Sequence, residues 1–531
     1  MLFVILTTVL LVTLTIYFRQ VYSRFRRYGV KQLKPFPMVG NMGSVTLCLS
    51  HYSYDTVKLY SAFQDERFVG RYEYLRPVVM IRDIELIKKI CVKDIEYFLD
   101  RRVFLDVKVD PFFGRNVFSL TGQEWKDMRS TLSPAFTSSK IRLMVTFMID
   151  VGDQMLKSLN MMIQNSETGF IDVDCKDLTT RYANDVIASC AFGLKVDSHT
   201  DRNNIFYAMA NLASTFGFKE LLKFFALDSW PFLNKIFNIT MFPKSTTNFF
   251  KKLVMNSIAE REAKQIMRPD MIHLLLEAKR GNLRHEAKGA VEKHTSLGAG
   301  EELSKSMHNV DRVWSDDDLV AQAMVFVLGG FDTISSSIFL ALYELALHPE
   351  IQERLAMEIK EHNAKNGGRL DYNTILDMTF LDMVVSEVLR IWPSGIVLDR
   401  ICNKDYNLGK PNEEATQDYI VRKGESVIIP VWAIHHDPKY FPDPEKFDPE
   451  RFSEENKHLI KPFTYMPFGL GVRNCLGSRF ALCEMKVMLY QLLLHMEISP
   501  CEKTCVPAKL TANTFSLRLR GGHWLRFRPR Q

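Results

Sequence analysis

The chain has 531 residues, 47% of them hydrophobic and 24% charged, and a net charge of +6. That composition excludes a disordered chain, and the length suffices for about two to four average domains or one large one. So small a charge on so long a chain gives no footing for a nucleic-acid partner, and none is expected.

Residues 1–18, "MLFVILTTVLLVTLTIYF", carry no charge. As a helix they would reach ~27 Å, close to the thickness of a bilayer core. No basic segment precedes the apolar run and no small-x-small cleavage site follows it, which favours an uncleaved membrane anchor over residues 1–20 rather than a removed leader. Arg19, Arg24, Arg26, Arg27, Lys31 and Lys34 come next, and no acidic residue occurs before Asp55. The positive-inside rule then puts the rest of the chain on the cytosolic side. Residues 21–45 read as a basic, proline-containing linker, stiffened by Pro35 and Pro37 in "KPFPMVGN". From residue 46 to 531 no break in composition separates further domains.

Helical periodicity dominates from about residue 50. Strand-like stretches are few: "RPVVMIRD" at 76–83 and "ESVIIPVWAI" at 425–434. The polar, glycine-interrupted stretch 281–314 reads as a solvated loop. Ser315, with Asp318 three residues on, then signals the start of a long buried helix that continues to His348 and is stopped by Pro349. Within it lies "GGFDT", residues 329–333. Two adjacent glycines and two polar residues are expensive in a buried helix. They imply either a kink where another helix crosses or a notch that admits a small ligand beside a proton-delivering pair.

"FLDMVVSEVLRIWP" is a second apolar helix. It places Glu387 and Arg390 on one face, where burial demands that they pair. Arg451, in the proline-rich "FPDPEKFDPERF", is a third partner for a structural charge lock. Last comes "PFGLGVRNCLGSRF", with Cys475 between Gly471 and Gly477. The nine cysteines are odd in number and irregularly spaced, with no CxxC. This argues against a disulfide framework, and the lone CxxxC at 501–505 lacks a second ligand pair for zinc.

Together these motifs resemble the cytochrome P450 haem-thiolate monooxygenases. Phe468, Gly471, Arg473, Cys475 and Gly477 match the family's haem-binding signature in register. Gly329, Gly330, Asp332 and Thr333 match its oxygen-binding helix motif, with Gly where many relatives have Ala. Glu387, Arg390 and Arg451 match its charge triad, and Trp125 and Arg129 match the Trp-x-x-x-Arg of an earlier helix. The resemblance covers essentially the whole chain. It implies a mainly α fold with smaller β-sheets, and a haem (heme b, iron protoporphyrin IX) between the long central helix and the cysteine-bearing loop. Cys475 would be the iron ligand, in a loop shaped by Phe468, Gly469 and Gly477. Arg473, Trp125, Arg129, Arg101 and Arg400 would meet the propionates, and Gly329 and Gly330 would leave room beside the haem. Asp332 and Thr333 would manage protons while one atom of O₂ is inserted into a lipophilic molecule.

The resemblance also implies electrons from NADPH through a separate NADPH-cytochrome P450 reductase, with cytochrome b5 as a further donor. The implied location is the endoplasmic reticulum membrane. Lys126, Lys140, Arg142, Arg479 and Lys486 are candidates for steering the acidic partner. Candidate substrate residues are Phe104, Phe112 and Phe113 in "VFLDVKVDPFFGRNVF", Phe216 in a Phe-rich region that reads as a lid and second membrane contact, and Phe326, Ile396 and Phe515. The "DRIC" run and the "HHDPKYFPDPEKFDPERF" segment most resemble the microsomal clan and its insect detoxification members, so oxidation of plant toxins or insecticides is the implied role. A dedicated hormone- or pheromone-metabolising oxidase, a haem-thiolate isomerase and a non-catalytic haem sensor stand as alternatives. The intact Asp332–Thr333 pair speaks against the isomerase, and the absence of an output domain speaks against the sensor.

Overall fold

The computed structural model describes residues 1–530 except 104, 106, 215, 216, 231, 269 and 281–313. The expected loop at 281–313 and the candidates Phe104 and Phe216 therefore lie outside the described residues. Helices dominate, as the periodicity predicts, and the helix Asp316–Leu347 organises the rest. Its start is the expected capping box: Asp318 N–H donates to Ser315 Oγ at 3.1 Å while Ser315 N–H donates to Asp318 Oδ2 at 3.0 Å. Pro349 opens the next helix, Pro349–Lys365, at the turn where the central one stops. Helices Cys175–Phe192, Lys244–Lys264, Thr379–Ile391 and Ser478–His495 pack around the central helix, so its side chains are buried nearly all round.

A four-stranded sheet flanks this helical body, in the order Phe68–Glu73, Arg76–Ile81, Ser426–Ile429, Leu398–Ile401. Arg76–Ile81 runs antiparallel to the first strand and parallel to the third, with Val79 opposite Val427. Three of these strands depart from the sequence reading, Leu398–Ile401 because no strand is expected there. Phe68–Glu73 is buried along its whole length, Arg71 and Glu73 included, so it shows no polar alternation to betray it. The stretch 425–434 is strand only to Ile429. Pro430 cannot extend the ladder, and Val431–His435 turns into a short helix. A smaller sheet joins Ile171–Asp174, Trp524–Pro529 and Met496–Ser499 in that order.

The helix Leu2–Val21 has no buried residue. It and the central helix are both long and apolar enough to cross a membrane, but the central helix is mostly buried in protein. Residues 21–45 are not a free connector. Tyr22 and Phe25 are buried, and their rings meet Tyr72 at 4.8 and 5.1 Å. Phe25 also stacks on Tyr419 at 5.7 Å, and Arg24 pairs with Glu425 at 2.7 Å.

One buried group works against the fold. Glu484, on Ser478–His495, is fully buried, and neither carboxylate oxygen has a hydrogen-bond partner among the described residues. Burial pushes its pKa well above the usual carboxylate range. A raised folded-state pKa gives stability that is full below the unfolded value of about 4.3 and is lost as pH rises through the folded value. Glu484→Met should therefore raise the thermal midpoint at neutral pH, by the equivalent of about 1–3 kcal/mol, and the gain should shrink toward pH 4. A midpoint difference independent of pH would contradict this assignment.

Candidate active site

A cavity of about 710 Å³ lies between the central helix and the cysteine-bearing loop. The sequence motifs converge on it. Cys475, Phe468, Gly469, Arg473 and Gly477 line it from the loop, Gly329, Gly330 and Thr333 from the central helix, and Trp125, Arg129, Arg101 and Arg400 from the remaining walls. Phe326, Ile396 and Phe515 also line it.

The loop's shape follows from its sequence. Gly471 has φ +67°, and a Cβ there would come within 1.9 Å of the Cys91 carbonyl oxygen, so only glycine fits. The Cys475 N–H donates to Phe468 O at 2.8 Å and closes the loop, and the Cys475 residue is exposed to the cavity. Enclosure by protein pushes the thiol pKa up, while a backbone hydrogen bond with Gly477 and the charges of Arg129 and Arg101 pull it back. Thiolate character at this sulfur thus depends on the cations around it.

Those cations are crowded. Arg473 lies with its guanidinium carbon 3.8 Å from the Trp125 ring centre; its Nε donates to Leu99 O at 2.8 Å and its Nη2 to Leu120 O at 2.9 Å. Arg101 donates to Arg473 O at 2.8 Å and stacks on Phe118, and Arg129 donates to Asn474 O at 2.9 Å. Arg400 donates to Leu470 O at 3.2 Å. Burial and mutual repulsion bring Arg473 down to about 9 and Arg101 down to about 10. Arg473 Nη1 and Arg101 Nε are buried with no hydrogen-bond partner among the described residues. A cavity rimmed by under-satisfied arginines, with a thiol exposed to it, fits a flat, mostly apolar group that carries two carboxylates and a thiophilic metal.

On the opposite motif the two glycines part company. A Cβ on Gly330 would approach Ile187 Cδ1 to 2.9 Å, so this glycine lets the helix Cys175–Phe192 come close. A Cβ on Gly329 would meet nothing within 4 Å, so this one faces the cavity. Gly330 is thus where another helix crosses, and Gly329 borders the cavity. The Thr333 hydroxyl donates to Gly329 O. Ser337, which also lines the cavity, donates to Thr333 O at 2.9 Å and meets Ser394 Oγ at 3.0 Å.

Asp332 does not join Thr333 in the cavity wall. Successive helical residues point about 100° apart, and its carboxylate sits 3.1 Å from Lys176 Nζ and 3.4 Å from Arg518 Nη2. Burial opposes its ionisation, but Lys176, Ser516 and Arg518 together hold its pKa below the usual range. Lys176 itself is gripped by Ser335 Oγ at 2.7 Å and Ser336 Oγ at 2.8 Å. Phe112 and Phe113 also miss the cavity. They sit on the four-residue helix Pro111–Gly114, where Phe113 faces Phe242 at 5.9 Å and Phe112 lies beneath Lys251. Val117 and Phe118, just downstream, form the wall instead.

Glu387, Arg390 and Arg451 assemble as expected. Arg390 grips Glu387 through two bonds of 2.7 and 2.9 Å and donates to His435 O at 2.8 Å and Pro444 O at 2.7 Å; Arg451 Nε reaches Glu387 at 3.3 Å. The sequence reading missed His435, which burial keeps neutral with a pKa near 3. Its Nε2 accepts the Met466 N–H at 3.0 Å, so Nδ1 carries the proton toward Arg390 O, also at 3.0 Å. Through Met466 this ring ties the charge lock to the loop that begins at Phe468. The only hint in the sequence was the pair of histidines in "AIHHDP".

The family model described as "Cytochrome P450" matches residues 30–525. The chain is 42% identical to cytochrome P450 9e2 of Blattella germanica over 94% of its own length and 93% of that protein's. It is 40% identical to probable cytochrome P450 9f2 of Drosophila melanogaster, with 94% of each covered, and 34% identical to cytochrome P450 6j1 of Blattella germanica, with 98% and 97% covered. The helical body with small sheets and the cavity between central helix and cysteine loop are those of a haem-thiolate oxygenase. The chain belongs to the cytochrome P450 family of monooxygenases.

Proposed function

We propose that this enzyme inserts one oxygen atom from O₂ into lipophilic small molecules, with foreign compounds such as plant toxins and insecticides as its substrates, using electrons passed from NADPH by a membrane-bound reductase. The observation that carries this reading is the Cys475 residue open to a large apolar cavity, beside which Arg473 Nη1 and Arg101 Nε are buried with no hydrogen-bond partner among the described residues. Haem b held there would supply oxygen activation, with the thiolate's electron donation favouring O–O cleavage. Cys475 would hold its iron through sulfur. Arg473, Arg101, Arg129 and Arg400 would bind its propionates, and Trp125 would hold the Arg473 plane in place.

Gly329 keeps the space beside the central helix free. Thr333, the polar group nearest that space on the helix, orders water and passes a proton, while Ser337 and Ser394 hold its backbone carbonyl in place. Asp332 serves from behind the helix as a charge anchor. Phe326, Ile396, Phe515 and Phe118 exclude bulk water and offer apolar surface to the substrate.

The apolar helix Leu2–Val21 supports a membrane location, with the endoplasmic reticulum and a cytosolic body as the finer assignment. A second patch strengthens it. Ile236, Phe237, Leu47 and Leu49 are all exposed, and Tyr74 meets both Trp230, at 6.3 Å, and Thr46 Oγ1, at 2.8 Å, which brings the two segments near one another. Among the residues proposed to steer the reductase, Lys486 drops out because it is buried and paired with Asp382 at 2.8 Å. Arg142 and Arg479 remain exposed, and Lys126 and Lys140 are half-buried.

The test is turnover of a panel of lipophilic compounds by the full chain with reductase and NADPH. Oxygenated product should appear and should need both. Thr333→Ala should lower the fraction of consumed O₂ that appears in product about tenfold or more, while Thr333→Ser keeps it. Unchanged coupling in the alanine variant would remove Thr333 from proton delivery.

A further inference from the structure

The segment 107–118 ends in two residues of the cavity wall, Val117 and Phe118. Its inner end is fixed to the central helix. The fully buried Gln322 accepts the Val117 N–H at 2.9 Å and donates to Arg115 O at 2.8 Å. The outer end is held by a different device. Asp110 is 2% exposed, and its two carboxylate oxygens face opposite partners. Oδ1 accepts the Phe113 N–H at 3.1 Å and caps the short helix Pro111–Gly114; Oδ2 accepts the Met241 N–H at 3.0 Å, from 131 residues along the chain.

Around this link Leu105, Leu227 and Met241 make a small apolar cluster of their own, with Ile239 packed on it and Phe113 packed both on it and on the main core. Three stretches distant in sequence thus meet through a few side chains and one carboxylate. Burying a carboxylate is costly, and here the compensation is hydrogen bonding from backbone amides. Phe113, Met241, Phe242 and Phe112 all contribute. A neutral residue at 110 could not accept from both sides with equal strength. A small satellite cluster is also where a fold opens at least cost, well below global unfolding.

We propose that Asp110 is a positioning residue for substrate, a latch between the 107–118 segment and the Ile239–Phe242 segment that, with Gln322 at the inner end, fixes the cavity wall at Val117 and Phe118 and limits how freely lipophilic molecules enter. This rests on the cavity being the substrate chamber. Asp110 touches neither substrate nor cofactor, so its effect falls on entry and fit rather than on chemistry.

The test uses the full-length holoenzyme and its Asp110→Ala and Asp110→Asn variants, with carbon monoxide and a fluorogenic alkoxycoumarin as probes. The latch predicts an unchanged ferrous–carbon monoxide band, faster rebinding of carbon monoxide after photolysis, and faster amide exchange at Met241. It also predicts a KM raised about tenfold in Asp110→Ala with kcat nearly unchanged. Asp110→Asn, which keeps one acceptor, should fall between alanine and wild type, and it carries the test if the alanine variant does not fold. Rebinding, exchange and KM all at wild-type values in a folded variant would overturn the latch. Absence of the carbon monoxide band in the wild type would instead strike the haem reading itself.

Discussion

Cys475→Ser is expected to abolish the strongly red-shifted Soret band that a reduced, carbon monoxide-treated thiolate haem protein gives, and with it all monooxygenase turnover. Serine matches cysteine in size, and the Cys475 N–H to Phe468 O bond and the Gly471 turn involve only backbone, so the loop should survive. What changes is the donor. A hydroxyl has a far higher pKa than a thiol and is a poor soft ligand, so the electron push on the iron is lost. Haem should still be retained in part, because the arginine rim is untouched, and its band should shift to the blue. A serine variant that kept the red-shifted band would remove Cys475 as the proposed iron ligand.

Arg390→Ala is expected to destroy the folded holoprotein rather than weaken catalysis. Arg390 and Glu387 are both fully buried, and Arg390 also satisfies the carbonyls of His435 and Pro444. Its removal leaves Glu387 with Arg451 at 3.3 Å and the Asp448 N–H at 3.0 Å, and with no cation in direct two-pronged contact. Breaking a buried pair from one side costs about 3–5 kcal/mol, a large share of the 5–15 kcal/mol that holds a typical protein folded. Arg390→Lys should recover little, because one ammonium cannot reproduce the two-pronged grip. A double replacement of Glu387 and Arg390 by apolar residues of similar volume should do better than either single change. The measurements are yield of soluble holoprotein and thermal midpoint. A midpoint for Arg390→Ala equivalent to a loss under about 1 kcal/mol would mean the pair is not the lock it looks to be.

Much of what was legible in the sequence has a local signature: Ser315 caps its own helix through Asp318, and Glu387 and Arg390 meet across one helical turn. Gly471, Arg473, Cys475 and Gly477 were legible as one contiguous motif, although Gly471 and Arg473 answer to Cys91, Leu99 and Leu120 far along the chain. What was not legible depends on partners far along the chain. Asp332 is claimed by Lys176 and Arg518, so its direction could not be read from "GGFDT". Phe112 and Phe113 looked like pocket residues because they are aromatic. Asp110 and Met241 decide which way their short helix faces, and the wall falls to Val117 and Phe118. The strand Phe68–Glu73 hid behind charges that are buried and paired, with Arg71 3.6 Å from Glu73 and 3.7 Å from Asp55.

The way the first helix is joined to the body has a mechanical meaning. Tyr22 and Phe25 follow Val21 at once and are driven into the sheet against Tyr72 and Tyr419. Phe18, still on the apolar helix, stacks on Tyr22 at 6.1 Å. A body on a slack string could present any side to a bilayer. With that helix in a membrane, this one is carried on a rigid handle, and each arriving lipid-borne molecule or electron donor meets it in the same pose.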